Sequence, residues 1–337
     1  MTRILSLLSL LVLTPFFALA DVPSQHGGTI QMTFDLSHQP AGATRLWLPL
    51  PQSDPLQKID NLSYNGDYAK VAVNHDSKEN NRILYVSWPA TAKERHLSLS
   101  FEVTRQRVDR PTFPEQEATW LPADFGESLG ATALGPVDGE VKALATRITA
   151  GKTQVLDKVR AIYDWVCDTM YRDPETRGCG KGDVCSLLQR PGGKCTDISS
   201  VFIALCRAAS VPAREVFGLR LGKTGKTDVS GWQHCWSEFF LPGVGWVAAD
   251  PADVLKKQLV EKLDKNDPQL RQAREFFFGG LDPYRFRLAG GRDLQLIPSQ
   301  QRGVLNTFGY PYAEIDGVAL DFYAPKEFSY QYQYTPR

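Results

Sequence analysis

Hydrophobic periodicity changes along this chain, and the change limits the folds that it can adopt. Residues 28–108 contain segments in which apolar and polar residues alternate, such as TIQMTFDL and HLSLSFEVTR, and turn residues separate these segments. Alternation with a period of two is typical of half-buried β-strands. The sequence therefore predicts a small antiparallel β-domain of the sandwich type over residues 21–110.

A helical period follows the strand-like region. Residues 111–138 are rich in proline and glycine, so we expect a linker or a wrapping loop there. In VLDKVRAIYDWVCDTMY, apolar residues recur at spacings of three and four, which indicates one face of an amphipathic helix. A second such helix and three strand-like segments come later, so we assign residues 139–256 to an α+β core. Residues 257–337 are assigned to a helical and β extension packed on that core.

The first twenty residues, MTRILSLLSLLVLTPFFALA, have the layout of a secretory signal. A cationic residue, Arg3, precedes an apolar stretch that ends in small residues at Ala18 and Ala20. A membrane anchor is the alternative, but the apolar run is short and contains Pro15. We predict a signal peptide over residues 1–20 and a periplasmic or secreted protein with no membrane segment after cleavage.

The charge balance excludes some classes of partner. The 337 residues include 38 basic and 38 acidic side chains, and no run of like charge appears in the sequence. Proteins that bind nucleic acid or anionic membrane surfaces usually carry such runs. We therefore expect no nucleic-acid partner, and no cofactor motif is found, so we expect no cofactor.

One cysteine and one histidine lie at positions that suit a nucleophile and its base. Cys195 lies at the start of the second predicted helix, where the helix dipole favours a thiolate. His234 is the single histidine beyond residue 96 and lies in a predicted strand. If the following turn centres near Gly243, Asp250 pairs opposite Trp236 and shares a face with His234. A one-residue shift of register would place Asp250 on the other face.

Each of these three residues also has a purely structural interpretation. Cys195 could be a structural thiol. His234 could be a strand residue whose ring nitrogens have structural hydrogen-bond partners, and Asp250 could simply be the residue that ends a strand. Their order, a cysteine at a helix start, then a strand histidine and an aspartate on the next strand, indicates a nucleophile, a base and an orienting carboxylate. A binding module that keeps the fold without turnover remains an alternative, since a fold does not prove an activity.

A metal site is the second alternative. Its candidate ligands are Cys179, Cys185, Cys195, His234 and Cys235. The spacing disfavours this hypothesis, because the first two cysteines are six residues apart and neighbouring strand residues point to opposite faces. We therefore expect no metal.

The segment from about Val155 to Pro251 resembles the transglutaminase-like superfamily of papain-type cysteine acyl-transfer domains. The resemblance rests on YDWVCDTMYRDP, GGKCTDISSVFIALCRAASVPAREVFGLRLG and QHCWSEFFLPGVGWVAADPAD, in this order. It implies an α+β core in which the nucleophile helix packs on an antiparallel sheet. The β-rich region before it is similar to a domain that precedes such cores in exported bacterial members.

The resemblance also implies roles for individual residues. Cys195 would be the nucleophile, His234 the base and then the acid, and Asp250 the orienting carboxylate. The oxyanion would be held by the Cys195 amide and by Tyr171. The implied reaction is acyl transfer from an amide of a protein or peptide, including a cell-wall peptide, through a thioester that water or an amine resolves.

Three further cysteines need an interpretation beside that family pattern. Cys235 follows the histidine directly, and strand alternation predicts a packed thiol on the opposite face. Cys179 and Cys185 lie in the loop before Cys195. Because disulfides persist in exported proteins, we expect a disulfide that closes this loop.

Overall fold

The computed structural model describes residues 22–337, and the predicted signal segment lies outside the described residues. The strands are β1 (Gln25–Asp35), β2 (Thr44–Leu50), β3 (Gln57–Gly66), β4 (Lys70–His75), β5 (Arg82–Trp88), β6 (His96–Gln106), β7 (Tyr171–Arg172), β8 (Gly192–Gly193), β9 (Ala213–Arg220), β10 (Thr227–Asp228), β11 (Gln233–Leu241), β12 (Gly245–Ala249), β13 (Arg285–Gly290), β14 (Tyr312–Ile315), β15 (Val318–Ala319) and β16 (Tyr330–Pro336). The α-helices are α1 (Gly126–Leu129), α2 (Gly139–Ile148), α3 (Val155–Thr169), α4 (Val184–Gln189), α5 (Cys195–Ala208), α6 (Pro251–Glu261), α7 (Pro268–Phe276) and α8 (Pro325–Phe328). Within the described range, none of these helices combines the length and apolar character that crossing a bilayer requires.

The N-terminal strands form two antiparallel sheets that share one core. One sheet has the order β10-β16-β1-β6-β3, and the other has the order β15-β14-β2-β5-β4. In β6 every second side chain from Leu97 to Val103 is buried, and Leu46 and Leu48 of β2 face it from the other sheet. The predicted fold class, a β-sandwich ahead of an α+β core, is confirmed.

The C-terminal region completes this sandwich. Strand β16 pairs with β1, with Tyr330 opposite Phe34, and β14 pairs with β2, with Tyr312 opposite Trp47. The sequence predicts that residues 257–337 form an extension packed on the α+β core. In the structure β13 joins the core sheet, whereas β14, β15 and β16 join the sandwich. Alternation reveals that a strand has a buried face, but it does not reveal which sheet the strand enters.

Helix α5 lies at the centre of the second core. All fourteen of its residues are buried, because α2, α3 and α4 pack around it and strands β9 and β11 cover its remaining side. The apolar face predicted for α3, which includes Val159, Ile162 and Val166, is buried in the same cluster. Each buried aliphatic side chain of this size contributes roughly 1.5–3 kcal/mol. This packing holds α5 against the antiparallel sheet β12-β11-β9-β13.

A tight hairpin joins β11 to β12 and fixes their register. Ser237 pairs with Ala249, and Gly243 in the connection has a φ of +88° that glycine adopts without a steric cost. The same register, continued by one residue, sets Asp250 opposite Trp236. This is the register that the sequence predicts.

Residues 111–138 cross the outer side of the α+β core. Phe125 packs its ring 4.3 Å from that of Phe240 and 6.1 Å from that of Trp246, as centroid distances. The Glu117 carboxylate accepts hydrogen bonds of 2.8 and 2.7 Å from the first two amides of α3. The segment expected to be a linker or wrapping loop is thus fastened to the core at both a strand end and a helix start.

Candidate active site

Cys195 is the first residue of α5, and only 3% of its surface is exposed. Amides of a first helical turn have no partner inside the helix and favour a negative charge. The Asp197 carboxylate accepts hydrogen bonds from the amides of Lys194 (3.1 Å) and Gly182 (2.7 Å). These bonds fix the backbone that leads into the helix, so the sulfur of Cys195 has a defined position at the positive end of the dipole.

A glycine-rich loop lies across the start of α5. The carbonyl of Cys179 accepts a hydrogen bond of 2.9 Å from the amide of Thr196. Gly180 has a φ of +92°, and a Cβ atom built there would overlap the Asp197 carboxylate. A side chain at this position would force the loop away from Cys195, so the close approach depends on glycine.

His234 and Asp250 meet at the open end of the β11–β12 hairpin. Nε2 of His234 lies 2.8 Å from Oδ2 of Asp250, and both side chains are buried. The other carboxylate oxygen accepts a hydrogen bond of 3.0 Å from the amide of Asp253, which caps α6. Asp250 is therefore held from two sides, and it fixes the orientation of the imidazole.

The pKa of the Cys195 thiol is lowered well below its usual value. Hydrogen bonds with the thiols of Cys179 and Cys235 are the largest causes, and hydrogen bonding and charge interaction with His234 add to them against the opposing effect of burial. Because Nε2 of His234 is engaged with Asp250, Nδ1 is the ring nitrogen that remains for Cys195. The lowered pKa favours the thiolate form of Cys195 beside the ring of His234.

Arg285, in β13, also enters the site, and the local sequence pattern around it gives no sign of this position. Its side chain is buried, and Nη1 lies 2.8 Å from Nε2 of His234 and donates to Asp250. Nη2 donates to Asp253 (2.6 Å) and to Asp282. Burial alone would lower the pKa of Arg285, but the three carboxylates outweigh it and raise this pKa well above its usual value. The guanidinium therefore stays charged, and it ties the histidine strand to α6.

Two further thiols lie beside Cys195. The sulfur atoms of Cys179, Cys195 and Cys235, which we call the three-thiol cluster, all lie within 4.8 Å of one another, and all three residues are buried. The Tyr310 hydroxyl donates to the Cys179 sulfur (3.1 Å), and the Thr196 hydroxyl lies 3.2 Å from the Cys235 sulfur. Cys235 is packed in the core between sheet and helix, as the alternation of β11 predicts.

The loop disulfide expected between Cys179 and Cys185 is not formed. All six cysteines lie within the described residues, and all are free thiols. Cys179 turns inward to the three-thiol cluster, whereas Cys185 lies on the exposed side of α4. Sequence proximity favours the pairing, but Cys179 is buried in the loop against α5, whereas Cys185 belongs to α4 and is exposed.

Tyr171 lies next to the residues that precede Cys195. Strand β7 pairs in parallel with β8, and the amide of Tyr171 donates to the carbonyl of Pro191 (3.1 Å). Its ring lies over Gly192, where a Cβ atom would overlap the phenol, and 55% of the tyrosine is exposed. The tyrosine is thus close to the start of α5 and accessible from solvent.

Two groups of side chains in the described residues have ligands that suit a metal ion. The first comprises His234, Asp250 and Asp253. The guanidinium of Arg285 binds both carboxylates and Arg220 binds Asp253 as well, so a further cation does not fit there. The second is the three-thiol cluster, which offers three soft sulfur donors.

The sequence pattern located Cys195, His234 and Asp250, and the structure brings them to one end of the core. It gave no sign of Arg285 or of the inward turn of Cys179. The arginine lies 51 residues beyond His234 in a strand whose only signal is its alternation. A contact between segments so distant in sequence leaves no local periodicity.

The chain is similar to a known protein family and to two bacterial proteins. The model of the family described as the transglutaminase-like superfamily matches residues 142–251. An uncharacterised protein of Haemophilus influenzae is 36% identical over 318 residues, which cover 86% of this chain and 86% of that protein. The uncharacterised protein YebA of Bacillus subtilis is 29% identical over 125 residues, 33% of this chain and 17% of its own length.

A solved structure shares the fold. An inferred cysteine protease from Cytophaga hutchinsonii superimposes with a TM-score of 0.54 at 17% identity, over 93% of this chain and 99% of that chain. At this identity the likeness concerns the fold alone. It extends beyond the segment that matches the family model, so it includes the β-sandwich as well as the α+β core.

Proposed function

The chain belongs to the transglutaminase-like superfamily, and on this premise we propose that it is a cysteine enzyme that acts on amide bonds of proteins or peptides. Because a fold can persist without activity, the proposal depends on side chains. The observation that carries it is the buried contact of 2.8 Å between His234 and Asp250, which leaves the second ring nitrogen for Cys195. These three residues would form the catalytic triad.

The first half of the reaction would make a thioester. The Cys195 thiolate attacks the carbonyl carbon of the amide, and the electron pair of the C=O bond moves to the oxygen. As the tetrahedral intermediate collapses, the C–N bond breaks and imidazolium His234 gives its proton to the leaving amine. Asp250 holds the ring so that this proton stays directed at the site.

The negative oxygen of the intermediate needs donors. The amide of Cys195 belongs to the first turn of α5, where amides have no partner inside the helix, and it is one donor by position. We propose the Tyr171 hydroxyl as the second, because its ring lies against Gly192 beside the start of α5 and remains accessible. Removal of one oxyanion donor typically lowers kcat by about 10²–10³-fold.

The second half of the reaction would release the acyl group. Neutral His234 takes a proton from water or an amine, which attacks the thioester carbon and expels the Cys195 thiolate. Water as acceptor gives a peptidase or amidase, and an amine gives a cross-linking enzyme. Since residues 1–20 predict export, we place the reaction in the periplasm or outside the cell, on proteins or cell-wall peptides.

Thiol reactivity tests the nucleophile. The purified mature protein is treated with limiting iodoacetamide near pH 6, and the labelled peptides are identified by mass spectrometry. An ordinary thiol with a pKa of about 8.5 is almost entirely protonated at this pH. We expect Cys195 to react before the exposed Cys185, and to lose this advantage in His234→Ala. A Cys195 no faster than Cys185 would favour the alternative of a silent binding module.

A second assay separates the two acceptors. The protein is incubated with a mixture of peptides and a biotinylated primary amine, and new N-termini and biotinylated peptides are both counted. New N-termini that depend on Cys195 indicate hydrolysis, and biotin incorporation that depends on Cys195 indicates transamidation. Cys195→Ala is the inactive variant, and Cys206→Ser, in the same helix, is the matched control.

A further inference from the structure

The three-thiol cluster is larger than acyl transfer requires. A Cys-His-Asp mechanism uses one sulfur, yet Cys179 and Cys235 place two more within 4.8 Å of it. We propose that Cys179, Cys195 and Cys235 form a binding site for a thiophilic metal ion of the Zn²⁺ class. The bound ion takes the Cys195 sulfur as a ligand and so blocks the nucleophile. This site goes beyond the proposed reaction, and its existence does not depend on turnover.

The spacing of the sulfur atoms fits such an ion. Zinc–thiolate bonds are about 2.3 Å long, so three thiolates around one ion lie about 3.8–4.0 Å apart. If all three sulfurs stood 4.8 Å apart, the upper bound on their separations, an ion at their centre would draw each sulfur inward by only about 0.5 Å. A disulfide instead needs two sulfurs about 2.05 Å apart, a much larger movement. The geometry therefore favours a shared ion over a disulfide.

The surroundings of the sulfurs suit thiolate ligands. The Tyr310 hydroxyl donates to the Cys179 sulfur at 3.1 Å, and the Thr196 hydroxyl lies 3.2 Å from the Cys235 sulfur. Groups that hydrogen-bond to a ligand orient it and strengthen the site. The N-terminus of α5 points at the cluster, and its dipole partly offsets the negative charge of three thiolates. All three residues are buried, so water competes little for the ion.

The backbone that carries the ligands is held in place before any ion binds. Cys235 lies in β11, which pairs on both edges, and Cys195 begins the buried helix α5. The third ligand comes from the loop before α5, where the carbonyl of Cys179 accepts a hydrogen bond of 2.9 Å from the amide of Thr196. Two secondary-structure elements and one fastened loop thus meet at a single point, as metal sites require.

Binding has a defined chemical balance. Each sulfur that enters as a thiol gives its proton to solvent or to His234 as its bond to the metal forms, and no electron is transferred. Removal of the ion by a chelator returns the protons and frees the Cys195 sulfur. The enzyme would therefore be inactive with the metal ion bound and active after the ion is removed.

Cobalt substitution tests the site without an activity assay. The metal-free mature protein, kept reduced with a phosphine, is titrated with Co²⁺ and then with Zn²⁺, and thiolate-to-cobalt charge-transfer absorption is recorded. We expect one ion per chain, an intensity that corresponds to three thiolates, and displacement of cobalt by zinc. In Cys179→Ser and in Cys235→Ser the affinity should fall by at least about tenfold, because even an orienting group is worth about 10- to 100-fold.

Matched controls keep the result interpretable. Cys206→Ser, buried in the same helix but outside the cluster, and Cys185→Ser, on the surface, should bind as the wild type does. Circular dichroism of each metal-free variant shows whether it is folded, and the band intensity of the wild type counts thiolates independently of any variant. Absent charge-transfer bands, or binding that survives both Cys179→Ser and Cys235→Ser, would overturn the proposal, as would a mass loss of two hydrogens that maps to a Cys179–Cys195 disulfide.

The outcome is separable from that of the proposed function. Fast alkylation of metal-free Cys195 together with no cobalt signal rejects the metal site and leaves the nucleophile intact. A three-thiolate cobalt spectrum together with an unreactive metal-free Cys195 rejects the nucleophile and leaves the metal site. If both hold, one equivalent of Zn²⁺ should also protect Cys195 from iodoacetamide.

Discussion

Nη1 of Arg285 lies 2.8 Å from Nε2 of His234, and both groups contact the same carboxylate oxygen of Asp250. The histidine is therefore oriented by a buried ionic network and not by one carboxylate alone. Asp253 and Asp282 bind the other end of the guanidinium, so three negative charges surround the positive charge of Arg285. This network joins the end of β12, the start of α6 and strand β13.

The first prediction concerns Arg285. Arg285→Met should lower the free energy of unfolding by about 3–5 kcal/mol, because it leaves buried carboxylates without their cation. Urea unfolding followed by tryptophan fluorescence measures the change. Arg285→Lys keeps the charge but not the two-pronged geometry, so its loss should be smaller. A loss below about 1 kcal/mol in Arg285→Met would show that the network contributes little.

The second prediction concerns the carboxylate of the triad. Asp250→Asn keeps the shape of the side chain but removes the charge that holds the imidazole and stabilises its protonated form. The rate of Cys195 alkylation at pH 6 should fall, and any Cys195-dependent turnover should fall by about 10²–10⁴-fold. Asp157→Asn, on the exposed side of α3, is the control and should leave both rates unchanged.

The third prediction concerns the thiols that flank the nucleophile. Hydrogen bonds from Cys179 and Cys235 are the largest causes of the lowered pKa of Cys195. Wild-type alkylation should therefore persist below the pH at which an ordinary thiol becomes unreactive, and Cys179→Ala should move the midpoint to higher pH. Cys179→Ser keeps a donor and should restore most of the shift. Equal midpoints in the wild type and Cys179→Ala would contradict the assigned cause.

The fourth prediction is the effect of acid on stability. Burial alone would raise the pKa of Asp253, but Arg220 and Arg285 outweigh it and hold this pKa well below its usual value. A group whose pKa is lowered by folding stabilises the protein above its unfolded pKa of about 3.9, and this stability is lost as the pH falls through the folded value. Asp253→Asn should be less stable at pH 7 by ~1–3 kcal/mol, with a shallower decline below pH 4.

Urea unfolding at several pH values between 3 and 7 measures this difference. Asp124→Asn, at an exposed position of the short 3-10 helix Pro122–Phe125, is the control and should follow the wild-type curve. If Asp253→Asn and the wild type lost stability in parallel below pH 4, the acid sensitivity would belong to other carboxylates.

The fifth prediction concerns the loop at the start of α5. In Gly180→Ala the new Cβ atom would meet the Asp197 carboxylate, and the residue would keep a left-handed φ of +92°. We expect a loss of about 3–4 kcal/mol and slower alkylation of Cys195. Gly225→Ala is matched in backbone, with a φ of +65°, but open space surrounds it, so it should cost only roughly 1–2 kcal/mol. Equal losses would mean that the overlap with Asp197 is relieved cheaply.

The parts of the site that could be predicted from sequence are those set by local rules. The hairpin between β11 and β12 is short, so its turn fixes the register and places Asp250 beside His234. The start of α5 follows from glycines before Cys195 and an apolar period after it. Turn geometry and periodicity depend on a few neighbouring residues, so they can be predicted from a single sequence.

The parts that escaped prediction depend on contacts between distant segments. Arg285 reaches His234 because β13 pairs with β9, the strand next to β11. The sequence of β13 does not indicate with which strand it pairs. Cys179 turns inward because glycines at its two sides allow the loop to pack on α5, whereas the sequence suggested a bridge to nearby Cys185. The C-terminal strands likewise showed their buried face without showing that it belongs to the sandwich.

The pairing of β16 with β1 has a consequence for the order in which the protein can be assembled. β16 lies between β1 and β10, so a strand from one end of the described chain is an interior strand beside a strand from the other end. During synthesis β1 emerges first and must wait for residues 330–336 before this sheet can close. Contacts between such remote segments also make folding slow. The sheet that contains β1 therefore gains its β16 and β10 edge only after nearly all of the described residues have been made.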